Sequence, residues 1–393
     1  MIKFQTGLST RVSGLFWAHF IGSGIFLPFF PLLLSNRQLS VSEIATALAL
    51  ATIARIVAAP VLTSISDKTG RRRLSIFLYS LAGVVFLALF AFTDSYLATL
   101  IAISGLMIFW APIIPLADAY ALDVVRRLGG QYGRMRLWGS VAFIVGNLAG
   151  GWLISFSTAM PYLAGILLSL LATALVAITL PPAQPRVGAG AMPREVRPDV
   201  FRQPWFLAML VAIGLLQASH AGYYAFATIF WRGAGVPDTL IGLIWSLGVV
   251  TEICLFIYAS RLPGWFTPLR LILIGGLAGI LRWMVFAEAT SLWSIVLLQG
   301  LHGLSFGAVH LGTVSLLGRI VPSRWSATGQ SLMATSIGLL NALATWASGP
   351  LYGRDPAFAF WFMSAVSLAG LVALLVLARR VTSAAEQAAD EAH

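Results

Sequence analysis

Apolar residues in this chain come in long unbroken blocks, with no alternation of apolar and polar positions. Twelve blocks stand out, at about 9–34, 41–65, 74–93, 97–122, 136–156, 160–180, 204–231, 238–261, 268–287, 291–318, 325–350 and 356–380. A bilayer-crossing helix needs roughly 20 mainly apolar residues. Each block meets that length and satisfies its own backbone hydrogen bonds as a helix, whereas a barrel strand would alternate. The pattern therefore predicts an all-α membrane protein with twelve transmembrane helices. The longest polar interruption, 181–203, carries Pro181, Pro182, Pro185, Pro193 and Pro198. It reads as a linker, dividing the chain into a six-helix half at 1–182, a linker at 183–203 and a second six-helix half at 204–393. The first block, with His19 and Ser23 inside it, is too long and too polar for a cleaved signal and is kept as a helix. The tail after Arg380 is expected to fray.

The two halves are related. The run from Ile44-Ala45 to Arg55-Ile56 superposes without a gap on Ile241-Gly242 to Glu252-Ile253, 197 residues later. The repeat places a cation, Arg55, and an anion, Glu252, at matching mid-span positions of two pseudo-symmetric halves. A charge inside a span is costly unless it is paired or faces water. Two readings follow: a solute path that uses both charges, or a permanent salt bridge joining the halves.

Composition sharpens the class. Apolar residues make up 59% of the chain and charged residues 10%, and the mean hydropathy is +0.88. An ordinary soluble domain is excluded. The net charge of +11 does not mark a nucleic-acid binder, because the basic residues are sorted. Of the 25 Lys and Arg, 20 fall on the N-terminus, alternate loops and the tail; Arg37, Arg232 and Arg354 fall on the opposite loops. Such a bias puts both termini in the cytoplasm. Cys254 is the only cysteine, so no intramolecular disulfide forms. No Gly-rich phosphate loop ending in Lys-Ser/Thr is present, so ATP hydrolysis by this chain is not expected.

Thr63-Ser64-Ile65-Ser66-Asp67-Lys68-Thr69-Gly70-Arg71-Arg72-Arg73 resembles the loop 2–3 signature of the major facilitator superfamily, with Thr63 in place of its first Gly. The resemblance implies a cytoplasmic gate built from Asp67, Gly70, Arg71 and Arg72, completed by Asp123 at the inner end of the fourth helix. Three further stretches, Gln131 to Phe143, Gln217 to Tyr224 and Trp245 to Glu252, are similar to the bacterial 3-phenylpropionic acid transporter group, as are Arg282-Trp283, His302 and His310. This similarity implies the major facilitator fold and a multi-pass place in the bacterial inner membrane. It also implies proton-linked uptake of a small solute, and more weakly an aromatic carboxylate such as 3-phenylpropionate. Oligosaccharide–proton and nucleoside–proton symporters are neighbours of that group. Gly146-Asn147-Leu148-Ala149-Gly150-Gly151 partly echoes an element of drug–proton exporters. A membrane enzyme and a non-transporting receptor are the rivals of another class. The expected partners are substrate, protons and lipid, without nucleic acid, and the expected state is a monomer. The expected energy source is the proton gradient, with no cofactor.

Site candidates follow from chemistry and position. Glu252, Asp118, His302 and His310 are candidates for carrying the proton, because carboxylates in a low-dielectric site and imidazoles exchange protons near neutrality. Arg55, always charged, suits an anion. His220, Tyr223, Tyr224, Trp245, His19 and Phe26 are candidates for lining a pocket, each with ordinary packing as its alternative. Asp118 has a second reading as a helix-end acid paired with a loop arginine such as Arg134. His302 and His310, eight residues apart, lie about 80° apart on a regular helix. Pro112 and Pro115 are expected to bend the fourth helix, and Pro28 and Pro31 the first. Arg282 is expected near the outer end of the ninth span, snorkelling or paired for structure. No metal site is expected.

The charge bias has a direct check. Reporter fusions after Arg202 and after Arg354 should report opposite sides of the membrane, with the first cytoplasmic. The same side for both would overturn the span count.

Overall fold

A computed structural model describes residues 2–128, 131–182, 199–322 and 325–390. The described residues form α1 (Ile2–Asn36), α2 (Val41–Thr69), α3 (Arg72–Ala91), α4 (Tyr96–Trp110), α5 (Ile113–Leu128), α6 (Tyr132–Ile154), α7 (Met160–Thr179), α8 (Pro204–Ala218), α9 (Ala221–Gly233), α10 (Asp238–Tyr258), α11 (Pro268–Phe286), α12 (Leu292–Gly300), α13 (Val309–Ile320), α14 (Ser326–Arg354) and α15 (Pro356–Asp390). A π-helical turn, Gly303–Ala308, joins α12 to α13. Eleven segments among the described residues are long and apolar enough to cross a membrane. The twelfth expected span is α14, 29 residues long, whose Ser, Thr, Gly, Gln and Asn content makes it less apolar.

Helix starts are set by local chemistry. Ser40 and Glu43 form a capping box before α2: the Ser40 amide donates to Glu43 Oε2 at 2.8 Å, and the Glu43 amide donates to Ser40 Oγ at 3.3 Å. Ser95, Thr267 and Ser291 each accept from a backbone amide at the start of α4, α11 and α12. Helix ends are capped too. Arg11 donates to the Thr179 carbonyl, Arg73 to that of Leu180 and Tyr120 to that of Pro181, each at 2.8 Å. Three side chains from α1, α3 and α5 thus satisfy the last carbonyls of α7.

Three expected spans are interrupted. The fourth is broken at Ala111-Pro112 into α4 and α5, as its prolines suggest. The seventh is broken at Ser219-His220 into α8 and α9, and the tenth contains the π turn. By contrast α1 runs unbroken through Pro28 and Pro31. The tail after Arg380 is not frayed as expected: α15 continues to Asp390, because Ala, Glu and Gln there are strong helix formers. Of the expected linker, 183–198 lies outside the described residues, and Asp199–Arg202 is a 3-10 turn.

Contacts group the chain into two units. Unit 1 holds Met1–Leu39, Leu50–Gly190 and Gly235–Ser246; unit 2 holds Ser40–Ala49, Ala191–Ala234 and Leu247–His393. Within unit 1, α1 packs on α6 and α7, and α3 packs on α7 and α4. Within unit 2 the same plan recurs: α8 packs on α14 and α15, and α11 packs on α15 and on the π turn with α13. The core of unit 2 includes Phe206, Met209, Ile213, Leu216, Ile272, Val309, Leu316, Met333 and Leu374. Large apolar side chains such as Val57, Val85, Leu168, Ile257 and Val376 point outward. That surface suits lipid and would be untenable in water.

The α1–α6 crossing depends on glycine. A methyl group added at Gly146 would meet the Ile21 carbonyl and would lie 2.9 Å from the Gly24 Cα. Gly146→Ala should therefore lower the thermal midpoint, with overpacking costing about 1–3 kcal/mol. Gly318→Ala on α13, with open space around it, should not. Equal midpoints for the two variants in detergent would contradict the crossing.

Candidate functional site

Unit 2 contains a buried polar cluster rooted in one guanidinium. Arg282 on α11 is fully buried. Its Nη1 donates to His302 Nδ1 at 2.8 Å and to Ser305 Oγ at 3.0 Å, and its Nη2 donates to Gln299 Oε1 at 2.6 Å. Its face lies over the rings of Trp283 (4.5 Å) and Tyr223 (4.8 Å). Arg282 therefore does not snorkel. It sits on the inner side of α11, where an imidazole nitrogen, a hydroxyl and an amide carbonyl take its hydrogen bonds.

An arginine only donates, and that fact orients every partner. His302 Nδ1 must accept, so the imidazole carries its proton on Nε2. From Nε2 it donates to Glu252 Oε1 on α10, at 2.7 Å. Ser305 accepts from Arg282 and so donates its own proton to His220 Nε2 at 3.2 Å. His220 then donates from Nδ1 to the Gln217 carbonyl at 3.2 Å, beside the α8–α9 break. Gln299 passes on a third branch, donating to the Tyr223 hydroxyl at 2.9 Å. Three donor chains leave Arg282, and one of them ends on the only carboxylate of the cluster.

The helix interruptions place these groups. His220 lies at the α8–α9 break and His302 just before the π turn. The wider π turn changes the register assumed for a regular helix. The rings of His302, Phe306 and His310 stack in one column, with centroids 5.4 and 6.2 Å apart and planes within 10°. His302 is buried at the inner end of the column and His310 is exposed at the other. Gly303 lets the π turn approach α10, where its amide donates to Thr251 Oγ1 at 3.1 Å. Tyr224 is partly buried beside the His220 ring.

Unit 1 holds the remaining candidates in separate groups. His19 Nδ1 accepts from Trp110 Nε1 at 3.2 Å, and Phe26 packs edge-on against the same indole. Asp118 accepts from the Tyr132 hydroxyl at 2.9 Å and pairs with Arg136 at 3.8 Å. The expected partner was Arg134; Arg136 lies on the face of α6 that also meets Phe20. Trp245 is buried in α10. Arg55 is exposed on α2, and its side chain has no hydrogen-bond or ion-pair partner among the described residues.

The loop 2–3 signature forms a compact ion network within unit 1. Gly70 adopts φ +66°, which ends α2 and turns the chain into α3. Arg72, largely buried, donates from Nε to Asp67 Oδ1 at 2.8 Å and also pairs with Asp123, which in turn pairs with Arg126. Arg71 is exposed at the start of α3. Thr63, at the signature's first Gly position, turns its hydroxyl back to the Ala59 carbonyl.

Sequence reasoning missed Gln299 and Ser305 and underrated Arg282. The available signal was a polar stripe at 299, 302 and 305, spaced by three along an otherwise apolar span.

A model of the MFS_1 like family matches residues 9–363. The chain belongs to that family. Full-length relatives agree with the fold described above. The "Probable 3-phenylpropionic acid transporter" of Escherichia coli (strain K12) is 29% identical over 92% of this chain and 96% of its own length. The "Maltose permease" of Geobacillus stearothermophilus is 29% identical over 98% of this chain and 99% of its own. The crystal structure of nucleoside transporter NupG superposes with a TM-score of 0.80 at 17% identity, covering 94% of this chain and 98% of that one. The protein is thus a multi-pass membrane transporter with the major facilitator fold.

The ion network separates two neighbouring arginines. Arg72→Ala should lower the thermal midpoint, with loss of charged hydrogen bonds worth about 1.5–3 kcal/mol each, while Arg71→Ala should leave it unchanged. Equal losses in both variants would return the motif to a topology signal.

Proposed function

We propose that this protein takes up a small aromatic carboxylate, of the 3-phenylpropionate class, together with protons by alternating access. One observation carries the reading. The cluster around Arg282 contains a single carboxylate, Glu252, and its link to the guanidinium runs through an imidazole whose tautomer is fixed. A proton arriving from water therefore has one acceptor in the cluster, Glu252. When Glu252 is ionised, its charge offsets that of Arg282 across His302. When Glu252 is protonated, the guanidinium loses that counter-charge and attracts an anion. Proton binding and carboxylate binding then favour each other, which is the condition for moving both together. His310, exposed at the far end of the ring column, offers the proton a way in. Phe306, half-buried in the ring column, supplies apolar surface for a ring.

The name of the Escherichia coli relative supports an aromatic acid. The maltose permease relative supports a second reading, symport of a neutral oligosaccharide. The Arg72 network would act as the cytoplasmic gate, with both termini in the cytoplasm, the protein in the bacterial inner membrane and the chain working as a monomer.

Proteoliposomes given labelled 3-phenylpropionate, maltose or a nucleoside in the external medium separate these readings. We expect accumulation of the acid that an inward proton gradient drives and a protonophore abolishes. Glu252→Gln should retain exchange of substrate across the membrane and lose uphill accumulation. Full gradient-driven accumulation by Glu252→Gln would eliminate Glu252 as the coupling group.

A further inference from the structure

Away from the Arg282 cluster, unit 1 has a cavity of about 620 Å³ between the 9–17 stretch of α1 and the start of α6. Its volume falls in the range of small-molecule sites, roughly 300–1,000 Å³. Trp17 and Trp138 form one wall, their rings edge to face at 6.0 Å. Ser13, Gly14, Gln131 and Arg134 complete the part that matters chemically. A Cβ at Gly14 would touch nothing nearer than Val176 at 4.0 Å, so the cavity reaches down to the α1 backbone.

The two arginines here differ. Arg136 pairs with Asp118 and lies over Phe20. Arg134, two residues earlier, is exposed, and its guanidinium has no hydrogen-bond or ion-pair partner among the described residues. No Asp or Glu lines the cavity. An uncommitted guanidinium beside two indole edges, with an amide donor from Gln131, matches one ligand chemistry: a carboxylate joined to a flat ring. The carboxylate takes the planar fork of Arg134, and the ring packs on Trp17 and Trp138.

We propose that this cavity is a second binding site for an aryl-alkyl carboxylate, at the end of unit 1 that the charge bias assigns to the cytoplasm. The choice of an aromatic acid rests on the proposed function; the site does not depend on Glu252. It would hold the solute on the side to which it is delivered. The same chemistry is offered by an anionic lipid headgroup, and the test separates the two.

The full chain carrying Cys254→Ser and Ser13→Cys is reconstituted in phosphatidylcholine or phosphatidylglycerol nanodiscs, and the rate of maleimide labelling at position 13 is followed. We expect 3-phenylpropionate to slow labelling saturably, at least fivefold, in phosphatidylcholine. 3-Phenylpropanol, which lacks the charge, should not, and adding Arg134→Gln should abolish protection. Absence of protection, equal protection by the alcohol, or protection that survives Arg134→Gln would each overturn the site. Slow labelling in phosphatidylglycerol that the acid does not deepen would assign the cavity to lipid and also overturn it. Uptake of the acid by wild type in parallel separates the two ideas. Uptake without protection removes the site and leaves the transport reading; protection without uptake does the reverse.

Discussion

The polar interior of unit 2 depends on burying one guanidinium whose two terminal nitrogens both find acceptors. Arg282 has no water and cannot give up its proton. Its acceptors must therefore come from the protein, and the chain supplies them from α12 and the π turn: Gln299, His302 and Ser305. Each acceptor has one orientation left, which fixes the next bond outward. Two histidines that would be ambiguous alone thereby acquire defined tautomers. Glu252 is left as the carboxylate on which the His302 branch ends.

Such a cluster needs backbone irregularity. A continuous helix uses its carbonyls internally and presents side chains at fixed angles. At the Ser219-His220 break, the Gln217 carbonyl accepts from both the His220 amide and the His220 ring. The π turn lets α12 direct His302 inward while α13 directs Val309, Leu316 and Leu317 into the core. Unit 1 shows the opposite economy at the α1–α6 crossing, where Gly24 and Gly146 bring two backbones into contact without polar side chains.

Much of this was legible in the sequence, for reasons that differ by feature. The spans were readable because bilayer thickness imposes a length on every apolar block. The Asp67–Arg72 pair was readable because the tight Gly70 turn and its charges are local, whereas Asp123, 51 residues from Arg72, came only from the family resemblance. The pairing of Glu252 with His302 was not readable, since it joins spans separated by 50 residues. For Arg282 the sequence left snorkelling and structural pairing both open, because its height along a span says nothing about which side of the helix it occupies; the structure shows the pairing. The π turn carries no local sequence mark of its own, so the angle expected between His302 and His310 was that of a regular helix. Asp118 met Arg136 instead of Arg134 because a shift of two residues on α6 moves a side chain more than halfway round the helix.

The carbonyl cap at the end of α7 has a mechanical consequence. Arg11, Arg73 and Tyr120 hold three consecutive carbonyls, Thr179 to Pro181, from three different helices. A tension applied along the backbone beyond Pro181 is therefore shared at once among α1, α3 and α5 and cannot simply unwind the end of α7. The exit of the chain from unit 1 behaves as a bolted flange, so unit 1 responds to such a load as a single rigid part.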